Sequence, residues 1–269
     1  MIIIGEKING TRKAVAKAIR ERDAAFIRQL AIEQAGAGSA YLDVNAGTAP
    51  EREPEDMIWL VKTIQEACDT PLCLDSANPM ALAAGLETVQ RQPLINSVSG
   101  EKSRIDGVLP LALKYKTGLV ILALDDEKGI PANSEGRIDI IRKLVGLAVE
   151  GGLSPAQLFI DPLVTAISTG TDNALITFQT IRDIRAAFPE VHITCGLSNI
   201  SFGMPLRSLI NRYFMAMAIQ AGLDSAIINP GDRELKEAMM ASEMLMGLDR
   251  YCLNFNRAFR AKLIGPEAE

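Results

Sequence analysis

Residues 193–199 of this chain read ITCGLSN, an apolar run with β-branched members that ends in a serine and an asparagine. This pattern, followed by Ile200-Ser201-Phe202-Gly203, is typical of a buried β-strand that leads into a loop. Asn199, at the end of the run, has an amide group that both donates and accepts hydrogen bonds. It can therefore support a reacting atom whose protonation changes, without carrying a charge of its own.

The same pattern recurs at four other points of the chain. In each case a short apolar segment ends in aspartate or asparagine, and the four segments are residues 42–45, 72–76, 94–97 and 158–162. Parallel strands place their carboxyl ends on one edge of a sheet. We therefore expect these polar side chains to gather at a common rim.

Apolar strand segments alternate with amphipathic helical segments along the whole chain. Strands are predicted at residues 2–4, 40–45, 71–75, 94–98, 119–124, 158–161, 191–197 and 225–228. Helices are predicted at residues 24–34, 54–67, 80–90, 105–116, 134–149, 174–187, 206–220 and 234–248, with a possible terminal helix at 251–263. This alternation predicts parallel pairing, and eight units of roughly thirty residues favour a (β/α)8 TIM barrel over an open, doubly wound sheet. We expect one α/β domain spanning residues 1–269.

Composition excludes several classes of partner. The chain has 269 residues, a net charge of −5 and 48% hydrophobic residues, and it contains no long run of like charges. We therefore expect neither nucleic acid nor an anionic membrane as a partner. Its apolar runs fall well short of the ~20 residues that a membrane span requires.

The cysteines and the amino terminus indicate a cytoplasmic protein. Four cysteines occur without any CxxC pair, and the single histidine does not complete a zinc or iron–sulfur spacing with them. Reduced, buried thiols are the expectation, with no metal centre. The sequence begins directly in Met1-Ile2-Ile3-Ile4, with no basic flank or small-residue cleavage site typical of a signal peptide.

In a TIM barrel the active site lies at the carboxyl ends of the strands, which sorts the polar residues into two groups. His192 begins the seventh strand and belongs at the opposite end, so we expect no catalytic role for it. Strands two to eight lack a lysine in their last residues, which argues against a Schiff-base aldolase. The strand-end group contains amides and acids: Asn9, Asp43, Asn45, Asp75, Asn96, Asp161, Ser198, Asn199 and Asn229.

A rim of aspartate and asparagine favours a neutral, flat ligand that is rich in hydrogen-bond donors. A carboxylate accepts two parallel hydrogen bonds from an amino-pyrimidinone edge, and asparagine supplies a mixed donor and acceptor beside it. Two other interpretations remain open. Each residue could be a helix cap or turn former, and Asp43, Asn45 and Asp75 could together hold a divalent cation.

Seven short stretches, spread over nearly the whole chain, form one further pattern: residues 3–9, 42–45, 72–76, 95–97, 160–162, 196–199 and 209–212. Taken together and in this order, they resemble the pterin-binding methyltransferases that move a methyl group between tetrahydrofolate and a corrinoid protein. Relatives in that family include the corrinoid/iron–sulfur protein methyltransferase of acetogens, the folate domain of cobalamin-dependent methionine synthase and, more distantly, dihydropteroate synthase.

The resemblance implies a role for individual residues. Asp75, Asn96 and Asp161 match pterin-ring ligands, and Asn199 matches the residue that hydrogen-bonds the methyl-bearing ring nitrogen. The remaining matches, at positions that line the same pocket, are Gly196, Ser198, Arg207 and Ile227. It also implies tetrahydrofolate or 5-methyltetrahydrofolate as substrate, a corrinoid carried by a partner protein, and a homodimer. Residues 202–206 depart from the family pattern, because Phe202 stands where a polar side chain is expected.

Two alternative functions accompany this interpretation. A dihydropteroate synthase would be expected to carry a lysine after the seventh strand and an arginine after the eighth, for its pyrophosphate-bearing substrate. This chain has Asn199 and Asn229-Pro230 at those points, although Arg233 follows closely. A non-catalytic folate-binding subunit is the second alternative.

Overall fold

A computed structural model describes residues 1–266 and contains the eight expected strands, all parallel to their neighbours. The last three residues of the predicted domain lie outside the described part. The strands are β1 (Ile2–Asn9), β2 (Tyr41–Asn45), β3 (Leu72–Asp75), β4 (Leu94–Val98), β5 (Gly118–Leu122), β6 (Leu158–Asp161), β7 (His192–Ile193) and β8 (Ser225–Ile228).

Helices connect the strands on the outside of the sheet. They are α1 (Lys13–Glu21), α2 (Ala24–Gly36), α3 (Glu53–Gln65), α4 (Pro79–Leu86), α5 (Lys102–Gly107), α6 (Leu109–Tyr115), α7 (Ser134–Glu150), α8 (Asn173–Ala187), α9 (Arg207–Ala221), α10 (Arg233–Leu245) and α11 (Leu253–Arg260). None of the helices in residues 1–266 combines the length and apolar character needed to cross a bilayer.

The sheet closes into a barrel, which confirms the predicted fold. Its strand order runs from β7 through β6, β5, β4, β3, β2 and β1 to β8. Between the two outer strands, the Ile227 amide donates to the carbonyl of Cys195 at 2.9 Å, and Gly196 pairs with Ile227 in a parallel bridge. Closure brings all eight carboxyl ends around one opening, which we call the mouth.

Two apolar layers hold the barrel together. The larger lies between sheet and helices and includes Leu42, Leu60, Ile141 and Met215, all fully buried. The smaller fills the barrel interior and consists of Ile4, Cys73, Leu94, Val120 and Phe159. Burial of a Leu or Ile side chain contributes roughly 1.5–3 kcal/mol, so these layers fix the strands that carry the polar rim.

Three predicted elements were wrong in their extent. β1 continues to Asn9, five residues beyond the predicted end, with an irregular register between Gly5 and Ile8. The helix predicted at 105–116 is two helices, because the chain breaks at Val108 and Pro110 lies in the first turn of α6. Helix α1 was not predicted, since its first turn lacks a capping side chain that would mark it in the sequence.

The seventh strand is the third predicted element with a wrong extent, and this difference changes the shape of the mouth. A strand was predicted through Leu197, but ladder pairing ends at Ile193 and residues Leu197–Ser201 form a 3-10 helix. The chain stays extended to Cys195 and then turns at Gly196, which approaches the side chain of Asn199 closely. The turn lifts Asn199 onto the rim, where it is exposed.

Candidate functional site

The polar residues at the strand ends face into the barrel because alternate strand residues point to the same side of a sheet. Two positions earlier on β3, β4 and β6, the side chains belong to the interior apolar layer; these are Cys73, Leu94 and Phe159. The next inward residues are Asp75, Asn96 and Asp161. Asp75 pairs directly with Asn96 in the β3–β4 ladder. The structure therefore brings the three predicted ring ligands into one mouth.

Hydrogen bonds link the side chains of β2, β3 and β4 across the mouth. The Asn45 amide donates to Asp75 Oδ2 at 2.9 Å, and the Asn96 amide donates to Asp43 Oδ1 at 3.3 Å. The thiol of Cys73 also hydrogen-bonds Asp43. These bonds fix the orientation of both carboxyl groups before any ligand arrives.

Burial leaves these carboxyl groups reluctant to ionise. Burial, reinforced by the nearby charge of Asp75, raises the pKa of Asp43 well above its ordinary value. Burial also raises the pKa of Asp75, against the lowering effect of the Asn45 hydrogen bond. Among the described residues, Asn45 Oδ1 is a buried acceptor without a partner. A ligand that donates hydrogen bonds would satisfy it.

Asp161 is the most strongly enclosed of the predicted ligands on the other side of the mouth. Its side chain is 8% exposed, and Oδ1 accepts from the Leu163 amide at 2.7 Å. Burial raises its pKa to about 7, although hydrogen bonds from the Leu163 and Gly196 amides and the charge of Arg137 oppose the rise. Small changes in its surroundings will therefore switch this carboxyl group between charged and neutral forms near neutral pH.

The exit of β7 presents Asn199 to the opening. The 3-10 helix is anchored by its own backbone, since the Asn199 amide N–H donates to Gly196 O at 3.2 Å. The side-chain amide of Asn199 makes no hydrogen bond to any of the described residues. A Cβ atom at Gly196 would lie 3.1 Å from Asn199 Nδ2, so the glycine leaves room for this side chain.

Arg207, at the start of α9, clamps this turn. Its Nη2 donates to the carbonyl oxygen of Ser198 at 2.8 Å, and Nε donates to Ser201 Oγ at 3.1 Å. The guanidinium also lies over the Phe202 ring, 5.8 Å from its centroid. Arg207 thus joins Ser198 to the loop that follows it. Its charge also acts on Glu6 across the mouth, where it partly opposes the rise in pKa that burial causes.

Sequence reasoning missed Glu6 as a residue of the mouth. Burial raises its pKa, its oxygen Oε1 accepts from Arg12 at 2.9 Å, and its charge acts on Asp43. The alternation Ile2, Ile4, Glu6 along one face of β1 was the available signal. It was overlooked because the first strand was predicted to end at residue 4. Ile227, a predicted lining residue, borders the interior apolar layer beside Gly196.

Two strand-end residues prove to be turn formers. Asn9 Oδ1 accepts from the amide and the hydroxyl of Thr11, at 3.0 and 2.7 Å. Asn229 Oδ1 accepts from the Gly231 amide at 3.1 Å.

His192 lies at the opposite end of the barrel, as predicted, with Nδ1 2.9 Å from Asp224 Oδ2. In residues 1–266, no group of three or more His, Cys, Asp or Glu side chains is arranged to hold a metal ion.

Comparison with known proteins gives the family. The family described as "Pterin binding enzyme" matches residues 5–229. A methylcorrinoid:tetrahydrofolate methyltransferase from Eubacterium limosum is 44% identical over 99% of this chain and 98% of its own length. A methionine synthase from Mycobacterium tuberculosis is 29% identical over 85% of this chain, which corresponds to 20% of that longer protein.

Solved structures agree on the fold. A dihydropteroate synthase from Coxiella burnetii in complex with pteroic acid superposes with a TM-score of 0.67. The two share 15% sequence identity over 93% of each chain, so this likeness speaks only to the barrel architecture. The family match covers most of the barrel, and the Eubacterium relative is similar along nearly the entire chain. The chain therefore belongs to the family of pterin binding enzymes.

Proposed function

We propose that this protein is a methyltransferase that moves a methyl group between a corrinoid protein and tetrahydrofolate. The observation that carries the proposal is the convergence of Asp75, Asn96 and Asp161 in one mouth, with Asn199 on its rim. The similarity to a methylcorrinoid:tetrahydrofolate methyltransferase supports the same reaction. We take the direction from that relative's name: the methylated corrinoid is the donor, and 5-methyltetrahydrofolate is the product.

The mouth suits the pterin end of tetrahydrofolate. An amino-pyrimidinone ring offers adjacent N–H donors, and an ionised carboxylate accepts two of them in parallel. When ionised, Asp75 and Asp161 can act as such acceptors from opposite sides of the mouth. The Asn96 amide can both donate and accept hydrogen bonds, and the unpartnered Oδ1 of Asn45 is a further acceptor. Gly196 and Ile227 would line the ring, and Ser198 and Arg207 would border it where the chain leaves β7.

Asn199 is proposed to act at the reacting nitrogen, N5. When N5 takes the methyl group it becomes cationic until its proton leaves, while the electron pair of the cobalt–carbon bond remains on cobalt. Asn199 Oδ1 can accept a hydrogen bond from the protonated nitrogen, and Nδ2 can donate to the neutral one. By analogy with other amide groups that hydrogen-bond a reacting atom, its expected contribution is about 10²–10³ in rate. Its exposure at the rim would let a corrinoid face approach.

The surroundings of Arg233 argue against a dihydropteroate synthase activity. That activity would require a cation near the end of β8 to bind a pyrophosphate. Arg233 instead donates to the carbonyl oxygen of Gly265 at 3.0 and 2.7 Å, and it lies 3.6 Å from Glu237. Its guanidinium is thus committed to the carboxy-terminal segment.

An absorbance assay tests the proposal. The purified protein is mixed with methylcobalamin and tetrahydrofolate, and in the reverse direction with cob(I)alamin and 5-methyltetrahydrofolate. We expect interconversion of the cobalamin spectra in both directions at rates above the protein-free control. Folate binding without any spectral conversion would support the non-catalytic subunit instead. Failure to bind folate would reject both.

We further propose that the protein is a homodimer that uses the outer face of α9. Exposed apolar side chains follow one stripe of this helix, at helical spacing: Leu209, Tyr213 and Met217, with the exposed Leu206 directly before the helix. Further exposed apolar residues follow at the end of α10 and beyond: Leu245, Leu248, Tyr251 and Leu253. Monomers rarely expose apolar patches of more than a few hundred Å², so a second copy of the chain is the expected cover.

Analytical ultracentrifugation tests the dimer. The wild-type protein should sediment with the mass of two chains, and Tyr213→Lys should shift it toward one by placing charges in the stripe. Lys114→Glu, on the outer surface of α6, is a control that should leave the mass unchanged. A monomeric wild type at micromolar concentration would contradict the proposal. We also propose that the chain is one domain of a cytoplasmic protein, since its four cysteines are free thiols, as is usual in a reducing compartment.

A further inference from the structure

Arg137 is a buried cation that the proposed reaction does not use directly. It lies in the first turns of α7 and is 2% exposed, although an arginine is seldom fully buried without a carboxylate partner. Its hydrogen bonds go to backbone carbonyl oxygens: Nε donates to Pro131 at 3.0 Å, and Nη1 donates to Pro162 at 2.7 Å and Leu163 at 2.9 Å. The guanidinium therefore joins the loop after β5 to the loop after β6.

Two of these acceptors belong to the turn that holds Asp161. Leu163 adopts a left-handed conformation with φ of 62°, which is strained for a residue with a side chain. In that conformation its amide donates to Asp161 Oδ1 at 2.7 Å. The two hydrogen bonds from Arg137 to this turn offset the strain. They keep the Leu163 amide aimed at the carboxyl group.

Arg137 is also the charged group that faces Asp161. The other groups around this carboxyl are the neutral thiol of Cys195 after β7 and the backbone amides of Leu163 and Gly196. The positive charge lowers the pKa of Asp161 against the larger effect of burial. Burial in turn lowers the pKa of Arg137 from its ordinary value, with Asp161 opposing the change, and the guanidinium remains charged at neutral pH.

We propose that Arg137 is a positioning residue for the pterin site: it holds Asp161 in place through the Pro162–Leu163 turn and stabilises its charged form from behind. The inference rests on the proposed role of Asp161 as a ligand of the pterin ring. A charged carboxylate accepts both ring donors, whereas a protonated one cannot. Arg137 would thus set the lower end of the pH range in which folate is bound.

The test is the dissociation constant of tetrahydrofolate, measured by anaerobic calorimetry from pH 5.5 to 9. In the wild type we expect affinity to fall as pH drops below about 7, where Asp161 takes up a proton. Arg137→Met removes the charge, so the midpoint should move upward by roughly one pH unit. At pH 6 the variant should bind about tenfold more weakly than the wild type, and at pH 9 the difference should shrink.

Two further variants separate charge from shape. Arg137→Lys keeps the charge and should retain the wild-type midpoint, with a weaker affinity at every pH. Asp161→Asn removes the titrating group, so adding Arg137→Met to it should cause no further change in the pH profile. If Arg137→Met fails to fold, Arg137→Gln takes its place, since it removes the charge but keeps an amide that can donate to a carbonyl oxygen of the turn.

The outcomes separate this inference from the proposed function. Wild-type protein that binds no folate at any pH would reject the pterin site itself. Folate binding in the wild type, with equal loss of affinity at every pH in Arg137→Met and an unmoved midpoint, would overturn the inference and leave the function standing. An upward shift that appears only with Asp161 present would establish it.

Discussion

The two ends of the barrel contain similar side chains in opposite states. At the mouth, burial raises the pKa of Asp43, Asp75 and Asp161, and hydrogen-bonding atoms remain free. At the other end, burial also acts to raise the pKa of Asp224. There the bonds from His192 and the Ile193 amide, with the charge of Arg185, outweigh burial and lower its pKa.

The difference lies in how completely each carboxylate is paired. Asp224 Oδ1 accepts from the Ile193 amide at 2.7 Å and lies 3.2 Å from Arg185, while Oδ2 faces His192 at 2.9 Å. This network stabilises the fold and leaves nothing to bind a ligand. The mouth keeps incompletely paired acids and amides at a cost in stability, as expected of a functional site. Substitutions at the mouth should therefore impair function without lowering stability, and substitutions at the other end should lower stability without impairing function.

The largest expected effect is that of Asn199→Ala. Loss of the amide at N5 should lower the methyl-transfer rate about 10²–10³-fold, because the cationic nitrogen loses its hydrogen-bond partner. The dissociation constant for tetrahydrofolate should change by only a few-fold. Stopped-flow absorbance of cobalamin measures the rate, and calorimetry measures binding. Equal losses in rate and affinity would remove the assignment of a role in the transition state.

Asp161→Asn should weaken folate binding and strengthen the fold. At pH 8 affinity should fall about 10–100-fold, since a charged acceptor is lost. The pKa of Asp161, near 7 when folded and 3.8 ordinarily, means that the native protein retains a proton that the unfolded chain releases. Wild-type stability therefore declines as pH rises from 4 to 7, and the variant escapes this loss.

Urea unfolding of the same variant checks the sign. The free energy of unfolding of Asp161→Asn should exceed that of the wild type by up to about 4 kcal/mol at pH 8, and the excess should vanish below about pH 4. A variant less stable than the wild type at every pH would show that Asp161 is a structural acid like Asp224. That result would remove the contrast between the two ends.

Gly196→Ala should produce a smaller functional loss. The added Cβ would lie 3.1 Å from Asn199 Nδ2 and would displace the amide from its position. The backbone at Gly196, with φ of −70°, accepts alanine without strain, so the fold should be unaffected. We expect about a tenfold slower transfer and an unchanged melting temperature. An unchanged rate would indicate that Asn199 moves freely and that its placement carries no catalytic advantage.

The smallest effect is expected at the amino-terminal end. Asp224→Asn should lower the free energy of unfolding by about 1 kcal/mol at pH 7, a modest amount because the group is more than a third exposed. Since its pKa is lowered on folding, this stabilisation is present above pH 3.8 and is lost as pH falls below it. Rate and folate affinity should match the wild type, and a tenfold change in either would contradict the division of the barrel.

The sequence predicted the barrel and a shared polar rim because both follow from short-range pattern, whereas the roles of the rim residues as ring ligands come from the family resemblance and stay a prediction. Alternating apolar strands with polar exits place Asp75, Asn96 and Asp161 on one rim whatever the helices do. The place of Asn199 at the exit of β7 was predicted, but the 3-10 turn that carries it was not, since that turn begins where Gly196 pairs with β8. The effect of Glu6 on Asp43, 37 residues away, and the bond from Arg137 to Leu163, 26 residues away, are long-range contacts that local pattern does not reveal.

The two predicted turn-former alternatives show where such pattern reasoning fails. Asn9 and Asn229 follow strands just as Asn96 does, yet each bonds to the backbone two residues on. An asparagine at a strand end can hydrogen-bond either the backbone of the following turn or a side chain of a neighbouring strand. Which of the two it does depends on whether its side chain points into the barrel. Site residues are therefore better predicted from the alternation of inward and outward side chains along each strand than from the residue type at its end.

A crystal structure with tetrahydrofolate tests the central claim most directly. The account predicts that the pyrimidinone edge contacts Asp75, Asn96 and Asp161, with N5 within hydrogen-bond distance of the Asn199 amide. The rest of the folate should leave through the open mouth. A pterin ring bound elsewhere, or bound in the mouth with N5 turned away from Asn199, would contradict it.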